Sequence, residues 1–245
     1  MKEKIYLVMA IILIFMPSMN VLAEDSIPLI QNLLPSRTTT NADQPAISLN
    51  MLELVWNAET YTPLEYQGRA LPTKGSMVDV DAVISVSGGS TSNLKFSWFL
   101  DDTFQESKSG YGKTSFRFGV RKFSGSSHNV LVKIFNDDRS FYTEKSIDIP
   151  ICEPEVVLTQ SNTNLLSIVA KPYFFYIKKL TDLIFEWTLA GQEPIISSNY
   201  NASILDISIS NRDTTETAEQ TINLSVKRNS TQIIQNAYNS IKINL

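Results

Sequence analysis

From Leu52 onward, apolar and polar residues alternate with a period of two. In "MVDVDAVISV" Val78, Val80, Ala82, Ile84 and Val86 fall on one side, with Asp79, Asp81 and Ser85 on the other. "LKFSWFL" (94–100) sets Leu94, Phe96, Trp98 and Leu100 against Lys95 and Ser97. "LIFEWTL" (183–189) does the same with Leu183, Phe185, Trp187 and Leu189 against Glu186 and Thr188. Strict alternation predicts half-buried antiparallel strands. "SFRFG", "NVLVKIF", "SIDI", "LLSIVA", "SILDISIS", "TINLSV" and "NSIKIN" read the same way, and turn-forming letters such as "SGGSTSN", "NDDRS" and "KRNST" separate them. Short strands between regular turn signals imply a sandwich or barrel. No long amphipathic helix is predicted.

The two Trp strands lie 89 positions apart, and a second pair of segments repeats with them. "NVLVKIFNDDRSFYTEKSIDI" (129–149) and "TINLSVKRNSTQIIQNAYNSIKI" (221–243) each give a strand, a polar turn, a second strand and a closing Ser-Ile-x-Ile. Order and spacing predict two duplicated domains, 51–150 and 151–245, joined at the Pro-flanked "PICEP" (150–154). Trp98, Trp187, Phe96 and Phe185 are expected to anchor the two cores.

A Trp on the third strand, packed between two sheets, marks immunoglobulin-like sandwiches. "FSWFLDD" and "FEWTLAG" resemble the aromatic-x-Trp-x-Leu-Asp-Gly strand and turn of bacterial Ig-like and PKD-like domains. The order of segments over 52–245 is similar to that of secreted tandem Ig-like proteins of candidate-phylum bacteria. The resemblance implies an all-β fold of two tandem Ig-like β-sandwiches and carries no activity with it. The disulfide that accompanies the Trp in antibody-type domains has no counterpart, since Cys152 is the only cysteine.

The N-terminus adds a compartment. Lys2 and Lys4 precede an apolar run, Ile5–Met16, and "VLA" ends at Ala23 with small residues placed for a signal peptidase. The expectation is a signal peptide over 1–23, a flexible tether over 24–50 and an exported, envelope or extracellular protein. The membrane is expected to be touched only through the N-terminal segment, if uncleaved, with no C-terminal anchor. The chain's net charge of −4 disfavours nucleic acid as a partner, which needs a basic patch.

Candidate chemistry is sparse. His128, the one histidine, sits in "SGSSH" and reads as a solvated turn residue, with no nucleophile-elbow motif to recruit it. One His and one Cys do not make a zinc site. Asp101–Asp102 and Asp137–Asp138 read as turn formers rather than calcium ligands. Neither a cofactor nor a metal is called for. Cys152 reads as an idle thiol, with an intermolecular disulfide as the alternative.

The candidate binding surface is aromatic. In "KPYFFYIKK" (171–179), continued alternation would put Phe174 and Tyr176 on one face and Tyr173 and Phe175 on the other, so one pair would cover something beyond its own core. Tyr61 and Tyr66, in "TYTPLEYQGRALP", are candidates for an exposed docking segment. The function expected is a non-enzymatic spacer, adhesion or binding module, with a protein or glycan at the cell surface as partner. The alternatives are an accessory domain or hydrolase acting on envelope polysaccharide, and a subunit of an envelope or pilus assembly.

Overall fold

The alternating segments form strands. The computed structural model describes residues 46–162, 166–189, 192–197, 201–207, 219–230 and 233–244. The signal segment and most of the expected tether lie outside the described residues. The first strand already begins at Ser48, inside the stretch read as tether.

Eight strands build the first sandwich: β1 (Ser48–Ala58), β2 (Met77–Ser87), β3 (Lys95–Leu100), β4 (Thr103–Phe104), β5 (Gly110–Tyr111), β6 (Ser115–Gly119), β7 (Ser127–Phe135) and β8 (Tyr142–Pro150). One sheet has the order β1-β2-β6, and the other has β4-β3-β7-β8 with β5 also on β3. The second sandwich comprises β9 (Glu155–Asn162), β10 (Leu166–Tyr173), β11 (Leu183–Leu189), β12 (Ile195–Ser197), β13 (Ile204–Ile207), β14 (Glu219–Arg228) and β15 (Asn236–Asn244). Its sheets run β13-β10-β9 and β12-β11-β14-β15, the same topology as the first pair. All strand pairings are antiparallel. This is the immunoglobulin-like arrangement, with each Trp on the third strand.

Each sandwich has its own hydrophobic core. Trp98 and Phe96 are fully buried in the first, and Trp187 and Phe185 are 2% and 1% exposed in the second. The duplication extends to the indole nitrogens. Trp98 Nε1 donates to the Lys113 carbonyl at 2.8 Å, and Trp187 Nε1 to the Ala202 carbonyl at 2.9 Å. Each bond reaches 15 residues downstream, so a large apolar ring is buried in each core without stranding its one donor.

The "DD" turn behaves as expected. Asp101 (φ 48°) and Asp102 (φ 63°) both adopt the left-handed conformation that a two-residue turn between β3 and β4 demands and that Asp tolerates. "PICEP" is drawn into the first sandwich rather than left as a free link. Ile151 belongs to the first core, its N–H bonds the Ser126 carbonyl at 3.0 Å, and Cys152 N–H bonds the Pro72 carbonyl at 3.0 Å. The described residues, from 46 to 244, belong to one compact unit.

Candidate functional site

The expected aromatic residues converge, but not by alternation. β10 ends at Tyr173, and Phe174 turns to φ 62°. A left-handed residue breaks the two-residue period, so neighbouring side chains need no longer point to opposite faces. Phe174 and Phe175 are both buried, at 5% and 0% exposure, while Tyr173 and Tyr176 are half-buried. The expected pairing by alternation, Phe174 with Tyr176 and Tyr173 with Phe175, is therefore corrected: the two phenylalanines are the buried ones. Phe175 enters the second core, whereas Phe174 belongs to neither core.

Phe174 lies at the junction of the two sandwiches. The segment between β1 and β2 runs against it. Tyr61 N–H donates to the Phe175 carbonyl and Phe174 N–H donates to the Tyr61 carbonyl, each at 2.7 Å. The Tyr66 ring stands edge-on to Tyr173 at 5.5 Å and to Phe174 at 5.8 Å. Tyr61 and Tyr66 are half-buried there, so these two rings are packed against the chain, while Leu64, Glu65 and Gln67 between and beside them stay exposed. Beside it, Lys171 Nζ meets Glu65 Oε1 at 2.5 Å. That contact raises the lysine's pKa and lowers the carboxyl's.

Two polar residues that the sequence did not single out hold the junction from inside. Thr73 is 1% exposed and Gln235, from the segment before β15, is 5% exposed. Thr73 Oγ1 donates to the Phe174 carbonyl at 3.0 Å and accepts from Gln235 Nε2 at 2.7 Å. The same Nε2 reaches the Lys74 carbonyl at 3.2 Å, and Gln235 Oε1 accepts the Tyr176 N–H at 2.8 Å. Buried polar groups persist where partners satisfy them, and here the partners come from both sandwiches. Gly75 completes the fit. With φ 89°, it sits where an added Cβ would fall 2.6 Å from Ile233 Cγ2 across the junction. The only sequence signals for this were a Gly in a Pro- and Lys-containing turn and an amide between two apolar stretches.

His128 is the second correction. It lies on β7, not in a solvated turn, and is 3% exposed. Its Nδ1 is 2.7 Å from Asp101 Oδ2, and its ring is edge-on to Phe118 at 5.1 Å. Lys122 Nζ at 2.7 Å and Asn129 N–H at 3.0 Å also donate to Asp101. Partial burial pushes the Asp101 carboxyl upward, but bonds from Lys122, His128 and Asn129 outweigh it and hold the carboxyl below its ordinary range. His128 Nε2 is shielded and meets no partner among the described residues. The geometry makes Asp101 a hub that ties the β3–β4 turn to β7. Cys152 is half-buried, and burial, with Glu155 and Glu153 nearby, pushes its thiol up to about 12. A thiol so rarely ionised is a poor nucleophile.

A set of exposed rings went unnoticed in the sequence. Register places Phe99 and Phe135 on the outer face of the sheet containing β3, β7 and β8, with Phe104, Tyr111 and Tyr142 exposed around them. Lys133 stands over Phe99 at 5.3 Å, and the Arg139 guanidinium over Phe135 at 5.5 Å. The hydroxyls of Tyr111 and Tyr142 donate to Asp137 and Glu144.

No family model and no curated protein matches the chain. Among solved structures, it is similar to the three N-terminal domains of the bacteriophage RB49 highly immunogenic outer capsid protein. The match has 14% identity and a TM-score of 0.44, covering 81% of this chain and 59% of that one. A C-terminal intimin fragment solved with its receptor's intimin-binding domain matches at 10% identity and a TM-score of 0.25, covering 79% of this chain and 63% of that one. A Bacteroides ovatus glucan-utilisation protein, SGBP-B, solved with a mixed-linkage heptasaccharide, matches at 9% identity and a TM-score of 0.25, over 78% and 69%. Likeness at this level carries no functional argument.

Proposed function

We propose that the protein is a non-enzymatic, exported envelope or extracellular protein that serves as a spacer and binding module, with its two sandwiches held in a fixed relation. The charged start, apolar run and small residues ending at Ala23 support export. The observation that carries the spacer reading is the buried junction of Thr73, Phe174 and Gln235. Domains joined by a flexible link are expected to move relative to one another. A link closed by hydrogen-bonded buried side chains gives up those bonds whenever it bends, so one angle is favoured. A fixed angle lets a short two-domain chain present a surface at a set distance and orientation.

Distance measurements between spin labels test this in the intact protein. Cysteines replacing exposed Ser146 in the first sandwich and Val157 in the second, in a Cys152→Ser background, provide the labels. A single narrow distance distribution is expected. A broad or multiple distribution would show that the joint bends freely and would overturn the spacer reading.

A further inference from the structure

The duplicated sheets share their topology, yet their outer faces differ. Strand register aligns them row by row. In the first sandwich, three rows cross β3, β7 and β8: Lys95–Phe135–Tyr142, Ser97–Lys133–Glu144 and Phe99–Leu131–Ser146. The matching rows across β11, β14 and β15 are Ile184–Lys227–Asn236, Glu186–Ser225–Tyr238 and Thr188–Asn223–Ser240. Where the first sheet carries Lys133, the second has Ser225. Where the first has Phe99 and Leu131, the second has Thr188 and Asn223. At the centre of the middle row a long side chain gives way to a short one, with Glu186 and Tyr238 standing on either side where the first sheet has Ser97 and Glu144. The adjoining row replaces apolar surface with hydroxyl and amide.

The result is a shallow depression in the second sheet, lined by Glu186, Thr188, Asn223, Ser225, Tyr238 and Ser240. Its chemistry narrows the choice of ligand. The charged groups in these rows are Glu186 and Lys227, which neutralise each other at 2.9 Å. An ionic ligand would have to break that pair. A protein interface is usually centred on clustered aromatic and aliphatic anchors, whereas here a single ring stands among amides and hydroxyls. Tyr238 is 66% exposed, and its hydroxyl accepts from Asn236 Nδ2 at 3.0 Å. The ring is thereby tethered at its tip, and the phenol proton stays free to donate. Among the described residues, no side-chain partner engages Asn223 or the Ser240 hydroxyl, and Ser225 Oγ is shielded without a partner at the floor.

From this arrangement we infer that the face binds an uncharged oligosaccharide. A pyranose has a flat C–H surface that stacks on an aromatic ring, and a rim of hydroxyls that each donate and accept. The Asn223 amide offers a donor and an acceptor side by side, Glu186 accepts, and Ser240 and the Tyr238 phenol do either. The inference does not rest on the spacer reading, because the face lies wholly within the second sandwich.

The test is titration calorimetry of the intact protein with cellohexaose, laminarihexaose, mannohexaose and chitohexaose, and with an oligogalacturonate as the charged comparison. Binding of at least one neutral oligosaccharide is expected. Tyr238→Ala and Asn223→Ala, both at exposed positions, should each weaken it about tenfold or more with the thermal midpoint unchanged. Tyr238→Phe should keep most of the binding, since the ring remains. Three results would overturn the proposal: no neutral oligosaccharide binds, the oligogalacturonate alone binds, or binding survives both alanine substitutions. None of these outcomes bears on the distance between the sandwiches, so the two proposals fail separately.

Discussion

Replacing Gln235 with Leu removes the amide at the junction while keeping similar bulk. Three bonds go: those from Nε2 to Thr73 Oγ1 and the Lys74 carbonyl, and the one Oε1 accepts from Tyr176 N–H. A buried intramolecular hydrogen bond is worth about 1 kcal/mol net, and a stranded partner costs more. Thr73 is buried, so its Oγ1 is left without a donor, whereas half-buried Tyr176 regains part of its bond from water. The expected loss is about 2–4 kcal/mol. Stability alone does not show that the loss arises between the sandwiches, so the measurement is a double-mutant cycle with Thr73→Val. That substitution also frees the Phe174 carbonyl, to which Thr73 donates. The two side chains touch, so a coupling of about 1 kcal/mol is expected, within the ~0.5–3 kcal/mol usual for contacting residues. Denaturant unfolding followed by tryptophan fluorescence supplies the four free energies. The reasoning fails if Gln235→Leu costs less than ~0.5 kcal/mol, or if the two substitutions add within ~0.3 kcal/mol.

Two further predictions follow from the cores and the Asp101 hub. Trp98→Ala and Trp187→Ala should each cost ~3–5 kcal/mol, because each removes a buried ring and frees the Lys113 or Ala202 carbonyl; free access of acrylamide to both indoles in the native protein would contradict it. The folded-state pKa of Asp101 is depressed, so the stability it contributes is present above the ordinary carboxylate value of ~3.9 and is lost as pH falls through the lower folded value. Asp101→Asn keeps a residue that tolerates φ 48° but removes the charge, and should flatten the acid limb of a stability–pH curve below about pH 4. An unchanged acid limb would show that the hub is not linked to protons.

Much of the architecture could be read from the chain, because period-two alternation is a local consequence of strand geometry. Val78 and Val80, Phe96 and Trp98, and Phe185 and Trp187 all point inward as their positions required. The matched Trp strands also pointed to the duplication that the shared topology displays. Other features were not local. Whether alternation continues past Tyr173 depended on Phe174 adopting a left-handed backbone, which nothing in "PYFFY" announces. His128 looked solvated among Ser and Gly, but its burial is decided by Asp101, 27 residues away, and by Phe118 on the facing sheet. Thr73 and Gln235 are separated by 162 positions, and only the folded chain brings them together. The depression around Ser225 needs strand register before Lys133 and Ser225 can be recognised as counterparts. Within regular strands the chain marks its core-facing side, since that rests on a two-residue repeat. Tertiary structure alone decided which residues meet across the junction and across the sheet, because those contacts join positions that no short-range periodicity relates.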